Sequence, residues 1–126
     1  MFSHATLGSG DLERSRRFYD ATLGVLGCEP SDAWPDGRLR YFKDGVMLTI
    51  LAPINDAAPE PGNGHTLGFR VESPEMVDSW HLTGLRHGGA AAEEPPGIRK
   101  RPIGSVYLAY LRDPDGNKLC AMAKID

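Results

Sequence analysis

The pattern of apolar and polar positions divides the chain into two similar runs of elements. Residues 2–9 alternate, with Ala5 and Leu7 set against His4 and Thr6, as in a strand with one buried face. Asp11 stands where a side-chain oxygen can cap a helix of about residues 12–24, which Gly24 and Gly27 end. Strands are expected near 28–34, 38–43 and 46–52, separated by Pro35-Asp36-Gly37 and Asp44-Gly45. The segment 53–64, with Pro53, Pro59, Pro61, Gly62 and Gly64, reads as a linker.

The second run repeats the plan. Leu67, Phe69 and Val71 alternate with Thr66, Gly68 and Arg70. Ser73 and Pro74 open a helix whose Val77, Trp80, His81, Gly84 and Leu85 recur on one face, and Gly88-Gly89 stops it. Strands follow near 90–94, 105–112 and 117–124. The halves also match residue by residue. At an offset of 62, Phe18 meets Trp80, Leu23 meets Leu85 and Gly27 meets Gly89; at 71, Asp44-Gly45 meets Asp115-Gly116, Leu48 meets Leu119 and Ala52 meets Ala123.

The expected architecture is therefore α+β: two βαβββ modules, about 1–53 and 64–126, in one domain of 126 residues. The faces turned away from the helices would form a shared cleft, where ligands should bind.

Strand alternation assigns the cleft face: His4 and Thr6; Met47, Thr49 and Leu51; Thr66, Gly68 and Arg70; Lys118, Cys120 and Met122. The two offsets independently pair His4 with Thr66 and Thr49 with Cys120. Tyr110, with Trp34, Tyr41 and Tyr107, is a candidate for an aromatic wall. Arg70 should either pair with a carboxylate or bind an anionic ligand, and the same holds for Arg38 and Arg40. Asp113-Pro114-Asp115-Gly116 supplies two carboxylates, yet its composition is that of a tight turn. His81 reads as a core histidine, and His87 as a helix C-terminal cation.

Charge and composition narrow the partners. A net charge of −3 leaves no global footprint for nucleic acid, and Arg99-Lys100-Arg101 is a local run. No apolar stretch approaches the ~20 residues of a membrane span. The chain starts directly in a strand-like segment, and its two cysteines, Cys28 and Cys120, make no disulfide framework. A cytoplasmic protein is the expectation.

Phe2-Ser3-His4-Ala5-Thr6-Leu7-Gly8, Asp11-Leu12-Glu13-Arg14-Ser15, Phe18-Tyr19 and Leu23-Gly24, with Gly62-Asn63-Gly64-His65 and Asp113-Pro114-Asp115-Gly116-Asn117, resemble the vicinal-oxygen-chelate superfamily of glyoxalases, bleomycin-resistance proteins and extradiol dioxygenases. The resemblance implies a small-molecule ligand, a homodimer and, in metal-dependent members, one Zn, Ni, Fe or Mn ion held by His and Glu from the outer strands. The four corresponding positions here are His4, Thr49, Thr66 and Cys120, without either glutamate. Threonine hydroxyls are poor ligands beside imidazole or carboxylate. A bulge that swings His65 into the cleft would give an alternative set of His4, His65 and Cys120. The leading functional expectation is a glyoxalase-like lyase or isomerase with an incomplete ligand set, His4 serving as ligand or base. Thr6, Met47, Thr49, Thr66, Arg70, Tyr110, Cys120 and Met122 would line its pocket. The rival is a metal-independent protein that binds or sequesters a small molecule.

Overall fold

The computed structural model describes residues 1–32 and 34–125. Its elements are β1 (His4–Gly8), α1 (Leu12–Val25), β2 (Leu39–Lys43), β3 (Val46–Leu51), β4 (Leu67–Arg70), α2 (Pro74–Arg86), β5 (Ala90–Arg101), β6 (Gly104–Arg112) and β7 (Lys118–Lys124). They form a three-stranded sheet, β1-β3-β2, and a four-stranded sheet, β4-β7-β6-β5. In each sheet a parallel pair of outer and following strands is extended by antiparallel neighbours.

The internal repeat is visible in the register. Ala5 pairs with Leu48, and Leu67 pairs with Leu119, so both offsets describe one ladder used twice. At the helix ends the match slips by one residue. Gly27 and Gly88, not Gly89, take the left-handed conformation, at φ 93° and 95°.

Both helices begin as their sequences require. Asp11 accepts from the Arg14 N–H at 3.0 Å, and Ser73 accepts from the Met76 N–H at 3.2 Å ahead of Pro74. On α1 the buried set is Ser15, Phe18, Tyr19, Thr22 and Leu23, the spacing of one helical face. On α2 it is Val77, Trp80 and Gly84, whereas Leu85 is exposed. Gly84 lets α2 lie close on the second sheet: a Cβ there would stand 2.3 Å from Leu111 Cδ1.

One apolar core spans both modules, joining Phe18, Tyr19 and Leu23 to Leu48, Ile50, Trp80, Leu111, Leu119 and Ala121. Ala5, Leu7, Leu67 and Phe69 pack against it, so β1, β3, β4 and β7 turn to the helices the sides that alternation required. A smaller cluster of Val106, Leu108 and Cys120, flanked by Tyr110 and Met122, lies on the opposite face of the second sheet.

The strand expected near 28–34 is absent among the described residues of that span, so the first module is βαββ. The segment is tied down in another way. Ser31 accepts from the Arg40 N–H at 2.9 Å, and its own N–H donates to Asp20 at 3.1 Å. A serine hydroxyl thus satisfies a β2 donor that a ladder would have used, and Pro30 and Pro35 could not have donated to one. β5 departs in the other direction, running to Arg101 through a register shift between Ala92 and Gly97.

The Asp113–Asn117 segment is a turn, as its composition indicates, and it also clamps the modules together. Buried Asp113 accepts from Tyr19 Oη at 2.5 Å and from the backbone N–H groups of Asp115 and Asn117 at 2.9 Å. Asp115 accepts from the Gly10 N–H and from Arg14 Nη2, each at 2.8 Å, while Asn117 Nδ2 donates to the Gly8 carbonyl at 3.1 Å. Among the described residues no helix is long and apolar enough to cross a membrane.

Candidate functional site

The small apolar cluster floors a concavity of about 480 Å³ on the second sheet, a size suited to a small organic ligand. Thr66, Gly68, Leu108, Tyr110, Cys120 and Met122 line it, with Glu93, Arg101, Pro102 and Ile103 at its rim. Every one of these residues belongs to the second module. Four residues singled out from the sequence, Thr66, Tyr110, Cys120 and Met122, are therefore brought together.

The others are not among its lining. His4, Thr6, Met47 and Thr49 lie on the first sheet, in rows completed by Phe42 and Arg40. His4 is exposed, its Nδ1 2.7 Å from Ser3 Oγ. Thr49 is only 4% exposed. Arg40, directly opposite it, forms a two-pronged pair with Asp36 at 2.7 and 3.0 Å beneath the Trp34 ring. Arg70 ends β4 in solvent, without a carboxylate within 4 Å among the described residues. Exposure removes the desolvation cost that demanded a partner.

His65 lies before the β4–β7 ladder, which begins at Leu67. It lines a separate cavity with Leu7, Gly62, Gly64, Asn117 and Lys118. His4, His65 and Cys120 accordingly form no ligand trio, and no three His, Cys, Asp or Glu side chains cluster among the described residues. The donor set of the chain does not fit the family's ion: it is an exposed imidazole, two hydroxyls and a buried thiol, without either glutamate.

The thiol itself is held protonated. Burial, then the Glu93 carboxylate, push Cys120 up to about 11, against the opposing pull of Lys118 and Arg101. Lys118 pairs with Glu93 and holds its ammonium 4.8 Å from the Tyr110 ring centre. Glu93 reaches this pair from the irregular part of β5, where its backbone is left-handed at φ 55°. Such a kink re-aims a side chain that a regular strand would point elsewhere.

Sequence reasoning missed Glu93, Pro102, Ile103 and Leu108, and singled out Arg101 only as part of a local basic run. The signals were present: Glu93-Glu94-Pro95-Pro96 interrupts a strand pattern as a bulge does, and Arg99 and Arg101 alternate with Ile98 and Lys100 beyond it.

The model of the glyoxalase/bleomycin resistance protein/dioxygenase superfamily matches residues 1–121, and the chain belongs to that family. It is similar to the crystal structure of a glyoxalase/bleomycin resistance protein from Albidiferax ferrireducens T118, at 49% identity and TM-score 0.94, covering 98% of this chain and 99% of that one. A glyoxalase-related enzyme from Fulvimarina pelagi shares the fold at 24% identity and TM-score 0.75, over 98% and 88% of the two chains. The lactoylglutathione lyase of Agrobacterium tumefaciens does so at 20% identity and TM-score 0.65, over 98% and 92%. No curated protein matches.

Proposed function

We propose that this chain binds a small organic molecule on the concave face of its second sheet, without a resident metal. The observation that carries this reading is the composition of the cleft: an apolar floor of Leu108, Cys120, Met122 and Tyr110 with no cluster of metal donors beside it. Burial keeps the Cys120 thiol neutral, and a neutral thiol is a poor nucleophile. His4, the residue best suited to proton transfer, has no orienting carboxylate among its described hydrogen bonds, so it lacks the base–orienter geometry of acid–base catalysis. Binding and sequestration use what the cleft offers; lyase or isomerase chemistry asks for groups that it lacks. A homodimer belongs to the same reading, with exposed Phe42, Val46 and Ile98 as apolar surface available to it. So does a cytoplasmic location.

The test uses protein purified without a histidine tag, exposed to Zn, Ni, Mn or Fe(II), dialysed and analysed for metal. Expected is far less than one equivalent of any ion. The neutral fluorophore N-phenyl-1-naphthylamine should bind saturably, unaffected by EDTA, and Leu108→Gln should weaken it. Stoichiometric metal that is lost in His4→Ala would overturn the proposal.

A further inference from the structure

The ladder register of the second sheet shows which side chains share the floor's face. Paired residues point to one side, so Arg99 joins Val106 and Lys124, and Arg70 joins Met122, Leu108 and Gly97. Arg101, opposite Gly104, ends the next row and reaches the cavity that Cys120 lines. At the other end, Arg112 stands opposite Lys118 beside the Tyr110–Cys120 row. Six cations thus lie on one face, around an apolar centre.

Their partners divide them. Lys118 is neutralised by Glu93, and Arg112 donates to the Gly116 carbonyl at 2.9 Å. At the opposite end Arg70, Arg99, Arg101 and Lys124 have no carboxylate within 4 Å among the described residues. Arg99 donates only to the backbone carbonyls of Pro95 at 2.8 Å and Ile98 at 3.3 Å, and Arg101 to that of Lys100 at 3.4 Å. By strand and residue spacing these four fall within a patch about 14 Å on a side. Elsewhere in the chain Arg14, Arg16, Arg17, Arg38 and Arg40 each face a carboxylate, whereas Lys43 on β2, Arg86 on α2 and Lys100 on the other side of β5 have none within 4 Å among the described residues. The concentration is not inherited from composition, since the whole chain carries −3. Unpaired like charges on one face, with Arg101 at the cavity itself, raise the local potential and draw anions to it.

We infer that the ligand is an amphipathic anion, its apolar body on Leu108, Met122 and Tyr110 and its carboxylate, sulfonate or phosphate at the Arg70–Arg99–Arg101–Lys124 end. The inference rests on the second sheet being the binding face. A cationic drug meets repulsion there. Nucleic acid would find charge but little reason for the apolar floor, and a cavity of about 480 Å³ suits a small molecule.

Two fluorophores with the same ring system separate the terms: anionic 8-anilinonaphthalene-1-sulfonate and neutral N-phenyl-1-naphthylamine. In low-salt buffer the sulfonate should bind about tenfold more tightly, and at about 0.5 M NaCl the advantage should shrink to threefold or less. Arg101→Gln and Arg70→Gln, both at exposed positions, should each weaken the sulfonate about fivefold and leave the neutral probe unchanged. Arg17→Gln, on the outer surface of α1, should alter neither. Equal affinity for the two probes, or equal losses from Arg17→Gln and Arg101→Gln, would overturn the inference while leaving a binding cleft in place. Failure of both probes to bind overturns the cleft as well. Displacement of the sulfonate by a short single-stranded DNA at micromolar concentration would overturn the small-molecule assignment.

Discussion

Asp115→Ala should separate the modules energetically. Its carboxylate is 4% exposed and accepts three bonds from the first module: the Gly10 N–H at 2.8 Å, Arg14 Nη2 at 2.8 Å and Ser15 Oγ at 3.2 Å. Bonds to a charged acceptor are worth about 1.5–3 kcal/mol each when lost without replacement. Two corrections lower the sum. Ser15 keeps Ser9 Oγ at 2.6 Å, and the Arg14 side chain is 42% exposed, so water takes up part of its charge. Against this, Arg14 Nε is already buried without a partner, which leaves the guanidinium poorly served once the carboxylate goes. The expected loss is about 2–3 kcal/mol. With an unfolding entropy of about 0.26 kcal/mol/K for a chain of this length, the melting temperature should fall by roughly 8–12 °C. Calorimetry and urea unfolding at pH 7 measure it, with Glu60→Ala, an exposed site, as the control. A double-mutant cycle with Arg14→Ala should show a coupling of about 1 kcal/mol. A loss below about 1 kcal/mol, within the range of ordinary surface substitutions, would refute the clamp.

Three further outcomes follow from groups already described. Cys120 should alkylate with iodoacetamide only as its thiol ionises, the rate rising through a midpoint near pH 11; a midpoint below 9 would contradict the burial and carboxylate argument. Tyr19 and Tyr41 are held well above the ordinary phenol value, mainly by burial and then by Asp113 and Asp20 respectively, while Tyr107 is raised chiefly by its hydrogen bond to Asp78. A raised folded value means stability is complete below the unfolded value of about 10 and is lost as pH climbs beyond it. Melting temperature should therefore begin to drop above about pH 10, and Tyr19→Phe should flatten that drop. Gly84→Ala gains helix propensity of about 1 kcal/mol but drives a methyl into Leu111, so a net loss of about 1–2 kcal/mol is expected in denaturant unfolding.

Periodicity revealed both helices, their caps and the helix-facing side of β1, β3, β4 and β7, because burial on one face leaves a signal at each position; Tyr41 and Tyr107, candidates for a cleft wall, instead pack with the core. Ala5, Leu48, Leu67 and Leu119 could be assigned from alternation alone, and the repeat offsets even returned their register. What alternation cannot carry is a change of phase. The bulge that aims Glu93 at Lys118 and the extension of β5 to Arg101 depend on a local irregularity and on a hairpin with β6. The missing strand failed for a related reason. Residues 28–34 have the length and flanking turns of a strand, but whether β2 accepts a partner there depends on a single tertiary bond to Ser31.

The loss of that strand and the inequality of the two sheets are connected. Without a fourth strand, residues 34–38 are free to fold back over the first sheet, and Trp34 and Asp36 take hold of Arg40. Arg40 then stands beside Thr49, the counterpart of Cys120, already paired with Asp36. The second module keeps four strands, and there the equivalent face stays open, with Cys120 on an apolar floor and its cations unclaimed at one end. A reading that treats the halves as equal expects four donors to converge on one ion, because symmetry in register suggests symmetry in use. The packing divides them: on one face the arginine is held by a carboxylate of its own module, and on the other the arginines are left for a ligand.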